Sequence, residues 1–139
     1  MKKIVVGYDA TEPADRALER AAELAEAFGA ELVVTSVAPV LATLPRGMNP
    51  IDPTDTPVEH HEDLAAAAAK LAGKSVKAQY QPAIGDPADS IVEVAEQVGA
   101  DLIVVGTREL NLVQRLLGQS VSESVQRRAH CDVLIVHAH

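Results

Sequence analysis

The sequence predicts an α/β protein with a single doubly wound open sheet of five parallel strands and four helices. Runs of β-branched residues alternate with segments of helical periodicity, which is the pattern of βαβ units. Crossovers between parallel strands are right-handed almost without exception, so this order packs the helices on both faces of the sheet. A length of 139 residues and an apolar fraction of 47% suit one domain, which we expect to span residues 1–139.

The first elements of the chain show both periods. The five expected strands comprise residues 2–8, 31–37, 75–84, 101–106 and 132–137. In the first helix, apolar residues recur at steps of three and four, and Gly29 follows as a stop signal. The face expected to lie on the sheet comprises Ala14, Ala17, Leu18, Ala21, Leu24, Ala25 and Phe28. Thr56 and Glu59 form a capping box that opens the second helix, and Gly73 ends it.

The later helices have comparable signals. The third begins at Asp86 and Pro87 and stops at Gly99, and the fourth covers residues 120–129. The apolar face of the third helix comprises Ile91, Val94, Ala95 and Val98. Residues 38–55 carry several prolines and neither period. Loops of this length are lids or insertions, and both alternatives stay open.

Composition excludes several classes of function. Binding of nucleic acid is disfavoured for two reasons. A net charge of −8 repels the phosphate backbone, and an aromatic fraction of 2% leaves few side chains to stack on bases. No apolar run approaches the roughly 20 residues that cross a bilayer, so we expect a cytoplasmic protein without a membrane partner. Cys131 is the only cysteine in the sequence, which excludes an internal disulfide. We expect Cys131 to be a small, partly buried hydrophobic residue.

A binding crevice is expected at the carboxyl ends of the strands. In open α/β sheets, ligands bind there, where successive crossovers go to opposite sides. Asp9 ends the first strand and is placed to hydrogen-bond a ribose hydroxyl or to help hold Mg²⁺. Its alternative role is to cap the first helix or the preceding turn. Ser120 and Ser122 open the fourth helix, where free amides favour an anion, although a serine at the start of a helix, such as Ser120, is more often a simple N-cap.

Three stretches together resemble the universal stress protein family over nearly the whole chain. They read IVVGYDATEPADRALERA, GDPADSIVEVAEQVGADLIVVGTR and SVSESVQRRAHCDVLIV. The resemblance implies a sheet of order 3-2-1-4-5 and a homodimer paired through the last strand. In one branch it also implies ATP bound by a Gly-x-x-Gly, nine residues, Gly-Ser/Thr signature. The candidate binding residues are then Asp9, Val37, Val105, Gly106, Thr107, Arg108, Glu109, Ser120, Val121 and Ser122.

The signature is altered in this chain. Gly106 matches its first glycine and Ser120 its terminal serine, but Glu109 and Gln119 stand at the second and third glycine positions. Glycine admits positive φ and lets backbone amides approach a phosphate, and Glu109 loses both advantages and adds a negative charge. Two like charges about 4 Å apart repel by roughly 1 to 4 kcal/mol, which is more than tenfold in affinity at mid-range. The sequence therefore predicts weak or absent ATP binding.

Other residues temper this prediction. Mg²⁺ between the carboxylate and a phosphate, or a nearby Arg108 or Arg115, would offset the repulsion. The adenosine half is less affected, because Asp9 and Val37 match the family's ribose and adenine contacts. The cofactor expected is thus ATP or AMP with Mg²⁺, or none. His130, Cys131, His137 and His139 include metal-ligand types, but neighbouring strand positions point to opposite faces, so we expect no metal site.

Two functions remain open. The first is a dimeric stress-response binding module with weak or absent nucleotide binding. Its dimer would pair through the apolar run Val133, Leu134, Ile135 and Val136, because an uncovered edge strand favours pairing with another copy. The alternative is an adenine-nucleotide switch that the 38–55 loop closes. Slow ATP hydrolysis with Asp9 or Glu109 positioning water is disfavoured, because no histidine or lysine is placed to assist, so we expect no enzyme.

Overall fold

The structure is a computed structural model that describes residues 1–38, 64–84, 87–107 and 121–137. Its strands are β1 (Lys3–Gly7), β2 (Glu31–Ala38), β3 (Ala78–Ile84), β4 (Leu102–Thr107) and β5 (Asp132–His137). They form one sheet in the order β3-β2-β1-β4-β5, and every neighbouring pair is parallel. The predicted fold class is confirmed, and so is the strand order that the resemblance implies.

Within the described residues, four helices cover the two faces of the sheet. They are α1 (Glu12–Phe28), α2 (described over residues 64–71), α3 (Pro87–Val98) and α4 (Val121–Arg128). Because successive strand side chains point to opposite faces, Ile4 and Val6 of β1 enter the core under α1 and α2, and Val5 enters the core under α3 and α4. All three are fully buried, so β1 is the centre of both cores.

The observed boundaries lie within a few residues of the expected ones. β3 differs most, since it begins at Ala78 and not at residue 75. The chain is still turning after α2 there, with Gly73 at φ 85°. Ile91, Val94 and Ala95 of α3 are buried as predicted. The expected capping box of Thr56 and Glu59, Asp86, and loop residues 39–55 lie outside the described residues.

One core prediction is wrong. Phe28 was expected on the buried face of α1, but it is 58% exposed. The chain reverses immediately after it at Gly29, whose φ is 64°, and the amide of Ala30 bonds back to the carbonyl of Ala25. Ala30 is 5% exposed and takes the core position at this end of the helix. Apolar periodicity cannot foresee this, because the turn beyond the helix, and not the helix itself, covers the core.

The two edges of the sheet differ in chemistry. β5 is one edge, and its apolar residues Val133, Leu134, Ile135 and Val136 are each partly exposed while packing on both cores. β3 is the other edge and carries the exposed Pro82, a residue that sheets tolerate at edges because it has no amide donor. Across the four described ranges, no helix combines the length and the apolarity needed to span a bilayer.

Candidate functional site

The carboxyl ends of β1, β2 and β4 lie side by side at the centre of the sheet. α1 leads from β1 to β2 over one face, and α3 leads from β3 to β4 over the other, so the crossovers diverge between β1 and β4. Val6 of β1 pairs with Val104 of β4. Asp9 lies three residues after Val6, and Thr107 lies three residues after Val104. Both residues are therefore at the carboxyl end of the sheet. This is where ligands bind in open α/β sheets.

The turn between β1 and α1 is held by Asp9. Its Oδ1 accepts hydrogen bonds from the amide of Thr11, at 3.1 Å, and from the Thr11 hydroxyl. Ala10 between them has φ 62°, a left-handed conformation that is costly for a residue other than glycine. Thr11 itself is the N-cap of α1, and its Oγ1 accepts from the amide of Ala14 at 3.4 Å. Of the alternatives for Asp9, the turn role is observed, and the cap role belongs to Thr11.

β4 delivers the next candidate residues. Val105 is 3% exposed and belongs to the core under α3 and α4, whereas Gly106 and Thr107 are partly exposed. A Cβ atom on Gly106 would lie 2.3 Å from the carbonyl oxygen of Pro13. The end of β4 thus packs directly on the first turn of α1, and only glycine fits. Gly106 therefore has a packing requirement that is independent of any phosphate.

The remaining candidates are placed unequally. Val37 lies in β2 opposite Ala83 of β3, near the carboxyl end of its strand. Val121 is the first residue of α4, and Ser122 next to it is only 5% exposed. Arg108, Glu109 and Ser120 lie outside the described residues. The structure thus brings Asp9, Val37, Gly106 and Thr107 to the carboxyl end of the sheet.

A charged cluster that the sequence did not reveal lies beside Asp9. The hydroxyl of Tyr8 donates to Oδ1 of Asp15 at 2.6 Å, and Nζ of Lys70 lies 2.9 Å from the same oxygen. Partial burial by itself would raise the pKa of Asp15, but the bond from Tyr8 and the bond and charge of Lys70 outweigh it and lower the pKa. Tyr8 directly follows β1, and Asp15 and Lys70 come from α1 and α2, so no spacing in the sequence points to the cluster.

A buried hydroxyl lies in the next strand. Thr35 of β2 pairs with Gly7 of β1 and is completely buried. Its Oγ1 has no hydrogen-bond partner within the described part of the chain. Its backbone carbonyl accepts from the amide of Tyr8 at 2.9 Å. Thr35 therefore connects to the candidate site through its main chain, while its side chain carries an unmet polar atom.

Cys131 lies at the opposite, amino end of the sheet, directly before β5. Cys131 is partly buried and packs against the core under α3 and α4, as predicted. Burial, together with the charges of Asp132, Asp101 and Glu96, raises the pKa of its thiol. Nδ1 of His130 lies 2.6 Å from Oε1 of Glu96. Within the segments that the structure describes, no three His, Cys, Asp or Glu side chains gather as a metal site would require.

With this geometry in place, the comparisons identify the family. The sequence model of the Universal stress protein family matches residues 1–137. The chain belongs to this family. It is 36% identical, over an alignment of 144 residues, to a universal stress protein of Mycobacterium tuberculosis, and the alignment covers 98% of this chain and 96% of that relative.

Two solved universal stress proteins share the fold over nearly their full length. One in complex with cAMP has a TM-score of 0.80 at 31% identity, with 99% of this chain and 98% of that chain covered. Another, from Archaeoglobus fulgidus in complex with dAMP, has a TM-score of 0.72 at 26% identity, with 98% of each chain covered. Two universal stress proteins similar to this one are thus known in complex with an adenine mononucleotide.

Proposed function

We propose that this universal stress protein is a stress-response binding module that takes an adenine mononucleotide at the carboxyl edge of β1, β2 and β4. The observation that carries the proposal is the exposed carboxylate of Asp9 at the divergence point between β1 and β4, with Gly106 and Thr107 beside it. A carboxylate in such a crevice accepts hydrogen bonds from ribose hydroxyls. The related structures with cAMP and dAMP support this class of ligand.

Under this proposal the protein binds ATP weakly or not at all. Glu109 and Gln119 replace two glycines of the family's phosphate signature, and Glu109 adds a negative charge next to Gly106 and Thr107. A ligand with one phosphate presents less charge to Glu109 than a triphosphate does. If Mg²⁺ accompanies the nucleotide, the carboxylate of Glu109 would help to hold it, and the ion would offset the repulsion between Glu109 and a phosphate. The proposal is a binder and not an enzyme, because the sequence shows no convincing pair of a nucleophile and a base.

The proposal includes a homodimer through β5. Of the two sheet edges, β5 carries four partly exposed apolar residues in succession, and β3 carries Pro82. Apolar edges without proline or lysine are the ones that pair with a second copy. The dimer interface would then comprise residues 133–136.

Calorimetry tests the ligand assignment. We expect purified protein to bind cAMP or AMP, and to bind Mg-ATP at least tenfold more weakly. Asp9→Asn should lower the cAMP affinity about tenfold or more, because it removes a charged acceptor. Glu12→Gln, in the first turn of α1, is the control for loss of charge and should keep the affinity. Absence of cAMP and AMP binding would overturn the proposal, and equal affinity for Mg-ATP would favour the switch closed by residues 38–55.

A further inference from the structure

Three elements of the fold meet at one carboxylate oxygen next to the candidate site. Oδ1 of Asp15 on α1 accepts a hydrogen bond of 2.6 Å from the hydroxyl of Tyr8, the residue directly after β1, and lies 2.9 Å from Nζ of Lys70 on α2. A carboxylate that accepts both a phenol and an ammonium makes charge-assisted hydrogen bonds, which are the stronger kind. The cluster of Tyr8, Asp15 and Lys70 therefore ties α1 and α2 to the end of β1.

Tyr8 is held at both of its ends. Its ring is 3% exposed in the core under α1 and α2, and its amide donates to the carbonyl of Thr35 at 2.9 Å. Successive side chains of an extended segment point to opposite sides, so Tyr8 points inward and the adjacent Asp9 is exposed. The anchored Tyr8 thus sets the position from which the Asp9 turn begins.

The turn itself needs this support. Ala10 adopts φ 62°, a left-handed conformation that is unfavourable for a residue with a Cβ atom. Such a conformation persists only where the surroundings hold it on both sides. On the far side Thr11 caps α1 and bonds Asp9, and on the near side the support comes through Tyr8.

We propose that Tyr8, Asp15 and Lys70 are positioning residues for the nucleotide site, which hold the Asp9 carboxylate in its binding orientation and couple its occupancy to helix α2. This inference rests on the proposed function, since it concerns the same ligand. By thermodynamic reciprocity, a cluster that strengthens nucleotide binding is itself strengthened when the nucleotide binds. Nucleotide binding at Asp9 therefore strengthens the contact between Asp15 on α1 and Lys70 on α2.

A spectroscopic experiment reads the cluster directly. The chain has no tryptophan and two tyrosines, so Tyr80→Phe leaves Tyr8 as its only strong fluorophore. Tyr80 is 37% exposed on the edge strand β3, and the change removes only its hydroxyl. A carboxylate that accepts a hydrogen bond from a phenol quenches its emission. We expect cAMP to change the Tyr8 emission of this variant, and Asp15→Asn added to it to raise the emission without ligand. Unchanged emission on saturation with cAMP would overturn the coupling.

Affinities provide the second readout. Asp15→Asn should raise the dissociation constant of cAMP about fivefold or more. Glu12→Gln is the matched control, because Glu12 lies in the same first turn of α1 and pairs with Arg16, one turn along the same helix. Removing either negative charge favours an anion electrostatically, so weaker binding in Asp15→Asn alone has the sign opposite to a charge effect.

Two further variants keep the test decisive. Lys70→Met changes the cluster from the side of α2, at a side chain that is 44% exposed, and should weaken cAMP binding even if Asp15→Asn fails to fold. Because it also removes a positive charge, it is compared with Lys74→Met, which removes the charge of an exposed lysine just beyond α2 and should weaken cAMP binding less. Asp15→Glu should restore part of the affinity. If the parent protein binds cAMP and both Asp15→Asn and Lys70→Met bind it like Glu12→Gln, this inference alone is overturned. If the parent binds no adenine mononucleotide, the proposed function falls with it.

Discussion

Thr35 is the residue whose chemistry is least satisfied in the described structure. It is completely buried in β2, and its hydroxyl oxygen has no hydrogen-bond partner among the described residues. A buried polar group without a partner costs roughly 1–3 kcal/mol of stability, because it has lost its bonds to water. Valine has nearly the same shape as threonine and no hydroxyl to satisfy.

Thr35→Val is therefore expected to raise the free energy of unfolding by about 1 kcal/mol. Urea denaturation measures the change. Thr11→Val is the matched control, since it deletes the same hydroxyl where that group caps α1, and it should lower stability by about 1 kcal/mol. A loss of stability in Thr35→Val would contradict the interpretation and would show that the hydroxyl has a partner in solution.

At the scale of elements, we expect the segment between β4 and α4, residues 108–120, to decide whether the site accepts a triphosphate. Gly106 cannot be used to probe it, because any side chain there would strike the carbonyl of Pro13 and disturb the packing of β4 on α1. Glu109 and Gln119 are better probes. They replace glycines in the signature, and glycine at those positions imposes no side chain on the backbone amides.

Glu109→Gly combined with Gln119→Gly is expected to increase the affinity for Mg-ATP more than tenfold, by removing a like charge from the phosphate path. Isothermal calorimetry with Mg-ATP measures the gain. Gln119→Gly alone separates backbone freedom from charge, and it should give a smaller gain. If the double variant gains nothing, Glu109 is not what limits triphosphate binding.

At the scale of the whole molecule, the alternation of local periods predicted the fold class, and the family resemblance supplied the strand order. The apolar face of α1 and the β-branched strands report burial directly, and the single error among them, Phe28, lies where a turn replaces the helix. The carboxyl-edge location of Asp9 also followed from topology alone. The cluster of Tyr8, Asp15 and Lys70 did not, because its members come from three elements and meet only in the packed structure.

The assembly of the molecule depends on which sheet edge is left open. β5 offers Val133, Leu134, Ile135 and Val136 partly exposed at one edge, so sedimentation equilibrium should give twice the chain mass of 14.7 kDa. Val136→Lys places a charge at that edge, which opposes strand pairing, and should shift the protein to the monomer. Tyr80→Lys makes the corresponding change on β3, where Pro82 already discourages pairing, and should leave the dimer intact. A monomeric parent protein, or dissociation by Tyr80→Lys and not by Val136→Lys, would place the interface elsewhere.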